Sequence, residues 1–350
     1  MTKREHIHCI GIGGIGVSAL AGLYRRRGLT VSGSDLSRSE ITDALKTEGI
    51  QIFTGQHKAA NVAGSVTKVI HTAAARPDNP ELVSAKRRRI PTKTYAQALG
   101  ELSRDYRLIA IAGSHGKSTT TALIALALTK ARLDPTVIVG TKLREFKNRN
   151  LRIGRSPWLV LEADEYRASF LNYTPAIAVI TNIDREHIDF YKNTRNIEST
   201  FMKFLRRLRP SGIAVLNRDD HRLRRIGGRL RRTRPAIRVA WYSLRSPTVR
   251  RIVKVIRIPG RHNVSNALAA HAAGRMLKIP ERKILAAIGA YRGSWRRFDF
   301  QGTLYGAKVF ADYAHHPTEI KATLQAAREK FPERRIWCVF QPHHYERTRD

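Results

Sequence analysis

Cysteine is nearly absent: Cys9 and Cys338 are the only two in 350 residues. They sit far apart in strand-like runs and form no CxxC pair, which excludes a disulfide framework and a cysteine zinc site. Both thiols are expected to be buried. No apolar run approaches the roughly 20 residues that cross a bilayer. The start, MTKREHIHCIGIGG, lacks the apolar stretch and cleavage site of a signal peptide, and the expectation is a cytoplasmic protein. Acidic residues are also scarce, with 28 Asp and Glu against 64 Lys and Arg, a formal net charge of +36. Such an imbalance suits a phosphate-rich partner, because neutralising phosphates releases counterions. Yet the cations are spread along the chain, densest from 206 to 261, and no stacking aromatics accompany them as a single-strand platform requires. They are read as solvated faces of helices and strands, with nucleic acid as the alternative partner.

What is present is phosphate-binding sequence. The stretch Gly113-Ser114-His115-Gly116-Lys117-Ser118-Thr119 lies between an apolar strand-like run, 108–112, and an apolar helix-like run. Glycines let backbone N–H groups turn toward an anion, and the helix N-terminus adds partial positive charge. A lysine reaches terminal phosphates, and a hydroxyl suits Mg²⁺. The spacing G-x-x-G-K-S-T is two residues shorter between its glycines than the common P-loop, so the general pattern fits imperfectly. ATP or GTP is the ligand the residue types suggest.

A second glycine loop follows the first strand-like run. Gly11, Gly13 and Gly16 satisfy G-x-G-x-x-G, Gly14 lies between them, and Asp35 ends the next strand-like run about 20 residues on. This is a Rossmann fingerprint in context. Such a loop recognises a diphosphate and not the group attached to it, so NAD and a UDP-sugar both remain open, and an NAD-dependent oxidoreductase is one functional class to consider.

The chain then alternates strand-like and helix-like pieces throughout, an α/β pattern long enough for two or three domains. Runs at 158–161 and 176–181 end in Glu162-Ala163-Asp164-Glu165 and Asn182-Ile183-Asp184-Arg185-Glu186-His187. Ligands of open parallel sheets bind outside the carboxyl ends of strands, so these ends should converge on the phosphate loop and build a Mg²⁺ site. The stretch 142–156 reads as an exposed loop or hairpin, and His262, Asn263 and Asn266 open a further helix. A third unit has a strand at 308–311, a helix at 318–330 and a strand at 336–340. One strand, helix and strand do not complete a layered domain, and the C-terminal domain is therefore expected to be incomplete.

These motifs in this order resemble the Mur ligase family. The match includes GIGGIGVSALA at 11–21, DNPEL at 78–82, GSHGKSTTT at 113–121, EADEYRASFL at 162–171 and TNIDREHIDFY at 181–191. It continues through LNRDD at 216–220, PGRHNVSNALAA at 259–270, RRF at 296–298, DYAHHPTEIKATL at 312–324 and FQPHHYERTRD at 340–350. The resemblance implies three α/β domains: a Rossmann-like UDP-sugar domain at 1–104, a central P-loop ATPase-like parallel-sheet domain at 105–294, and an incomplete Rossmann-like amino-acid domain at 295–350. It implies ATP-dependent ligation of L-alanine to UDP-N-acetylmuramate through an acyl phosphate in peptidoglycan synthesis; an inactive sugar-nucleotide-binding fragment is the alternative.

By the same resemblance, Gly11, Gly13, Gly14, Gly16 and Asp35 would hold the UDP-sugar, and Gly113 to Thr119 would hold ATP, helped by His262, Asn263, Asn266, Arg297 and Asp312. Lys117, Glu162 and His187 would be catalytic, with Ser118, Glu162 and His187 organising Mg²⁺. Tyr313, His315, His343 and Arg347 would surround the amino acid, Arg347 being suited to its carboxylate. The chain departs from the family pattern at Ser114 and Ser118, where threonine is common, and at Glu186, where aspartate is usual. His344 stands where FQPHRY has arginine, which bears on carboxylate recognition.

Overall fold

The computed structural model describes residues 5–342. An N-terminal unit is built from β1 (His6–Ile10), α1 (Ile15–Arg26), β2 (Thr30–Asp35), α2 (Glu40–Thr47), β3 (Gln51–Thr54), β4 (Lys68–His71), α3 (Pro80–Arg87), β5 (Thr92–Thr94) and α4 (Tyr95–Leu102). Its five parallel strands take the order β3-β2-β1-β4-β5. β1 is buried along its whole length because helices cover both faces of the sheet. Two histidines therefore lie inside it, and both are satisfied. His6 and His8 each contact the Ser32 hydroxyl at 2.9 Å, and His8 Nε2 meets Glu81 at 3.1 Å. Glu81 is fully buried and also accepts from Ser34 and Asn61, both at 2.6 Å. Burial alone would raise its pKa, but these donors outweigh it and hold the carboxyl at about 2.

The central unit contains β6 (Arg107–Ala112), α5 (Lys117–Lys130), β7 (Thr136–Leu143), β8 (Arg149–Arg152), β9 (Trp158–Glu162), β10 (Ile177–Ile180), α6 (Ile188–Tyr191), α7 (Thr194–Arg206) and β11 (Ile213–Asn217). It is completed by α8 (His221–Thr233), β12 (Arg238–Tyr242), α9 (Thr248–Val255), α10 (Arg261–Met276) and α11 (Glu281–Ala290). The sheet order is β12-β11-β10-β6-β9-β7-β8, parallel except for the β7–β8 hairpin at one edge. α5 is apolar around most of its circumference because it lies between the sheet and a second helical layer of α10 and α11. The stretch 142–156, expected to be an exposed loop or hairpin, is part of the β7–β8 hairpin with Leu143 and Phe146 buried, and it ties the first two units together. Asn150 donates to the Ile15 carbonyl, Arg149 pairs with Glu48, and Lys142 pairs with Glu40 at 2.7 Å.

The third unit differs from expectation. β13 (Asp299–Leu304) pairs antiparallel with β14 (Ala307–Ala311), and α12 (Pro317–Lys330) follows. The strand expected at 336–340 does not form: a strand exists only through its ladder, and no described segment pairs with it. Trp337 and Val339 are exposed there. Cys338 is exposed too, against the expectation of a buried thiol, whereas Cys9 lies in the N-terminal core, where burial pushes its thiol up to about 12. Among the described residues no helix is long and apolar enough to cross a membrane.

Candidate active site

β6 lies between β9 and β10, and the chain leaves it toward opposite edges of the sheet. The loop after β6 therefore occupies a topological switch point, where open α/β sheets take ligands. Gly113 and Gly116 have φ of +133° and +82°, in the region that favours glycine. A side chain at Gly113 would strike the Thr181 hydroxyl, and one at Gly116 the Asn266 amide. The loop is braced by the segment after β10. Asn182 Oδ1 accepts from the His115 N–H at 2.9 Å, its amide donates back to the His115 carbonyl at 3.0 Å, and the Asp184 N–H donates to Ser114 Oγ at 2.8 Å. α5 begins at Lys117, so its N-terminus faces the loop.

The Lys117 ammonium donates to the Gly113 carbonyl and to Glu165 Oε1, each at 2.8 Å. Burial alone would lower its pKa, but Glu165 and neighbouring carboxylates outweigh this and hold it above the usual lysine range. Burial pushes Glu165 up to about 8, against the pull of Lys117, and its second oxygen is buried without a hydrogen bond. Ser118 Oγ donates to Glu162 Oε1 at 2.9 Å, and Glu162 Oε2 accepts from the Gly140 N–H at 2.7 Å. His187 groups instead with Asp164 and Glu165, whose ligand atoms lie within 4.8 Å of one another, and its ring lies against Tyr166. The three residues expected to organise Mg²⁺ thus fall into a contacting hard-oxygen pair and a neighbouring His and carboxylate group.

A cavity of about 410 Å³ opens beside the loop. His115, Gly116, Ser118 and Thr119 form one wall, His262, Asn263 and Asn266 from the start of α10 another, and Arg297 and Asp312 reach it from the third unit. Residues separated by almost 200 positions in the chain meet there. His115 closes the corner, with Nε2 at 3.0 Å from Asp184 and Nδ1 at 3.3 Å from Glu319 on α12. Burial alone would lower this imidazole, but the two carboxylates raise it to about 9.

The other expected residues are dispersed. In the first glycine loop, the Gly13 N–H donates to Asp35 Oδ2 at 2.8 Å and Gly14 is the N-cap of α1, so the chain's own carboxylate faces the loop. A side chain at Gly11 or Gly16 would meet Thr72 or Tyr95. Arg297 lies 5.7 Å from the centre of the Tyr313 ring, and His315 stands 3.8 Å from Glu186. His343 and Arg347, with His344, fall outside the described residues.

The sequence points to Asn182, Asp184 and Glu165 only as members of strand-end clusters expected near the phosphate loop, with no individual role, and it gives Glu319 none. The first three lie in motifs at strand ends, so position along the chain held a signal. Glu319 is the third residue of a helix in another unit, and only folding reveals that it meets the phosphate loop.

The chain matches family models along nearly its whole length. Residues 6–107 match the model of the Mur ligase family, catalytic domain; 111–274 match the Mur ligase middle domain; and 296–350 match the Mur ligase, glutamate ligase domain. A UDP-N-acetylmuramate–L-alanine ligase of Alkaliphilus metalliredigens is 42% identical over 99% of this chain and 78% of its own length. One of Salinibacter ruber is 41% identical over 100% of this chain and 77% of its own. The crystal structure of the Thermotoga maritima UDP-N-acetylmuramate–alanine ligase superposes with a TM-score of 0.83 at 30% identity, covering 96% of this chain and 80% of that one.

Proposed function

The chain belongs to the Mur ligase family, and from that premise we propose that it is the ATP-dependent ligase that joins L-alanine to UDP-N-acetylmuramate. The observation that carries the reading is the cavity in which the phosphate loop, the start of α10 and Arg297 with Asp312 come together. A carboxylate acylates an amine poorly at neutral pH. In the proposed reaction the muramoyl carboxylate attacks the γ-phosphorus of ATP, giving an acyl phosphate and ADP. The amine of L-alanine then attacks the acyl carbon and phosphate leaves. Phosphoryl transfer depends chiefly on positioning and on neutralising charge.

Each residue has a role in that sequence. The loop amides and the N-terminus of α5 bind phosphate oxygens. Lys117, kept protonated by its carboxylate neighbours, turns from Glu165 and the loop carbonyls to the transferring phosphoryl group. Asn263 and Asn266 wall the nucleotide pocket with His262, while Arg297 and Asp312 contact ATP from the third unit. Ser118 and Glu162 fit Mg²⁺ through two hard oxygens already in contact, with His187 beside them among carboxylates. The ion, when bound, would offset charge on the β- and γ-phosphates. Gly11, Gly13, Gly14, Gly16 and Asp35 are assigned to the sugar nucleotide, and Tyr313, His315, His343 and Arg347 to L-alanine. The division of labour follows 1–104, 105–294 and 295–350, and the reaction places the protein in the cytoplasm, where ATP and sugar nucleotide are supplied.

An NAD-dependent oxidoreductase accounts for Gly11 to Asp35 but gives the loop at 113–119 no role, and no relative described above is one. The deciding measurement is phosphate release from ATP by the purified protein. Release requiring both UDP-N-acetylmuramate and L-alanine is the expected result; equal release without the sugar nucleotide would overturn the reading.

A further inference from the structure

The side chain of His115 does not turn into the phosphate loop. Its backbone is fixed by Asn182 and by the Thr181 hydroxyl, which donates to the His115 carbonyl at 2.6 Å. The loop therefore keeps its shape whatever the ring does, and the ring projects toward the third unit. Both ring nitrogens face carboxylates, Asp184 at 3.0 Å and Glu319 at 3.3 Å. Ionised carboxylates only accept hydrogen bonds, so this arrangement suits a ring with an N–H at each position. The same two acids are themselves shared across the boundary. Thr318, beside Glu319 on α12, donates to Asp184 at 2.9 Å, and Arg297 stands 3.7 Å from Glu319. The neighbouring His316 contacts the Arg185 carbonyl at 3.2 Å and caps α12 through the Thr318 N–H. The joint is largely withdrawn from water, since the side chains of His115 and Glu319 are 14% and 13% exposed.

We propose that His115 is a positioning residue that clasps the phosphate loop to α12 through Asp184 and Glu319, holding the third unit closed over the ATP cavity. In this role its ring binds the two carboxylates and not a phosphate. The inference rests on the assignment of that cavity to ATP. Its consequence is a division of effects: ATP affinity resides in the loop backbone, whereas the alignment of groups contributed by the third unit depends on the clasp.

The test uses His115→Asn, Glu319→Gln and the double variant, with circular dichroism confirming that each is folded. Amide hydrogen exchange of α12, without ligand, is independent of ligase activity, and both single variants should exchange faster than wild type across 317–330. Unchanged exchange in both overturns the clasp even if the protein proves not to be this ligase. In the phosphate-release assay each single variant should lower kcat by about tenfold or more, with the double variant no worse than the lower single, because both cut one link. A fluorescent ATP analogue should bind Glu319→Gln within about threefold of wild type. Binding weakened in His115→Asn at unchanged kcat would make His115 a nucleotide ligand, and additive losses would separate it from Glu319; either result overturns the proposal. Wild-type release that ignores the sugar nucleotide defeats the functional reading alone.

Discussion

At the scale of single residues, the site is a set of charges that burial would disfavour and neighbours hold in place. Lys117 remains a cation because Glu165 and neighbouring carboxylates outweigh its burial, while its ammonium also donates to the loop carbonyls. Lys117→Ala should lower turnover by at least about 100-fold with the fold retained, as loss of a preorganised charge-stabilising group does elsewhere. Phosphate release and circular dichroism together check this, and near-normal turnover would remove its assigned role. His115 makes a different prediction. Its pKa in the folded protein is about 9 against an ordinary 6.5. The stability it contributes is complete below pH 6.5 and disappears as pH rises through about 9. Glu165 also ionises in this range, so the informative quantity is the difference between proteins. Urea titrations should show wild type losing its advantage over His115→Gln between pH 6.5 and 9.5.

At the scale of elements, α5 shows how packing sets the chemistry. It is buried on nearly all sides, between the sheet and the layer formed by α10 and α11. Its placement puts Ser118 and Thr119 on the cavity wall and Lys117 under the loop carbonyls, and α10 brings Asn263 and Asn266 to another wall. Leu123, fully buried at the middle of α5, contributes only to that packing. Leu123→Ala should cost about 2–5 kcal/mol, the range for a buried leucine that leaves a cavity. The measurement is the denaturation midpoint followed by tryptophan fluorescence, and a change below about 0.5 kcal/mol would mean the layer repacks freely. The β7–β8 hairpin is the corresponding element between units. Its role as a tie is visible only when Asn150 meets Ile15, residues far apart in the chain.

At the scale of the whole molecule, the +36 charge is distributed over all three units and interrupted by apolar and paired positions, including Arg225 with Glu198 and Arg251 with Glu281. Charges separated by more than about 8 Å are largely screened at physiological salt. Duplex DNA should accordingly not be retained by the protein at about 0.15 M salt in a mobility-shift assay; retention with a steep salt slope would reveal a concentrated phosphate-binding face. Much of the architecture was legible beforehand. Continuous apolar runs marked β6, β9 and β10, because strands covered on both faces bury nearly every side chain, and glycines at 113 and 116 marked a loop with φ values that favour glycine. The segment 336–340 is equally apolar and forms no strand, because an apolar run supplies faces to bury but not a partner for its N–H groups. Local sequence is enough for the two glycine loops, the strand end that carries Glu162, the segment after β10 that carries His187, and the family they resemble, since each is an arrangement of side chains along one piece of backbone. Folding alone reveals that Glu165 holds Lys117, that Asp35 faces its own glycine loop, and that His115 and Glu319 meet. Those relations depend on the order of strands in a sheet and on the seating of one unit against another, distances that no local pattern encodes.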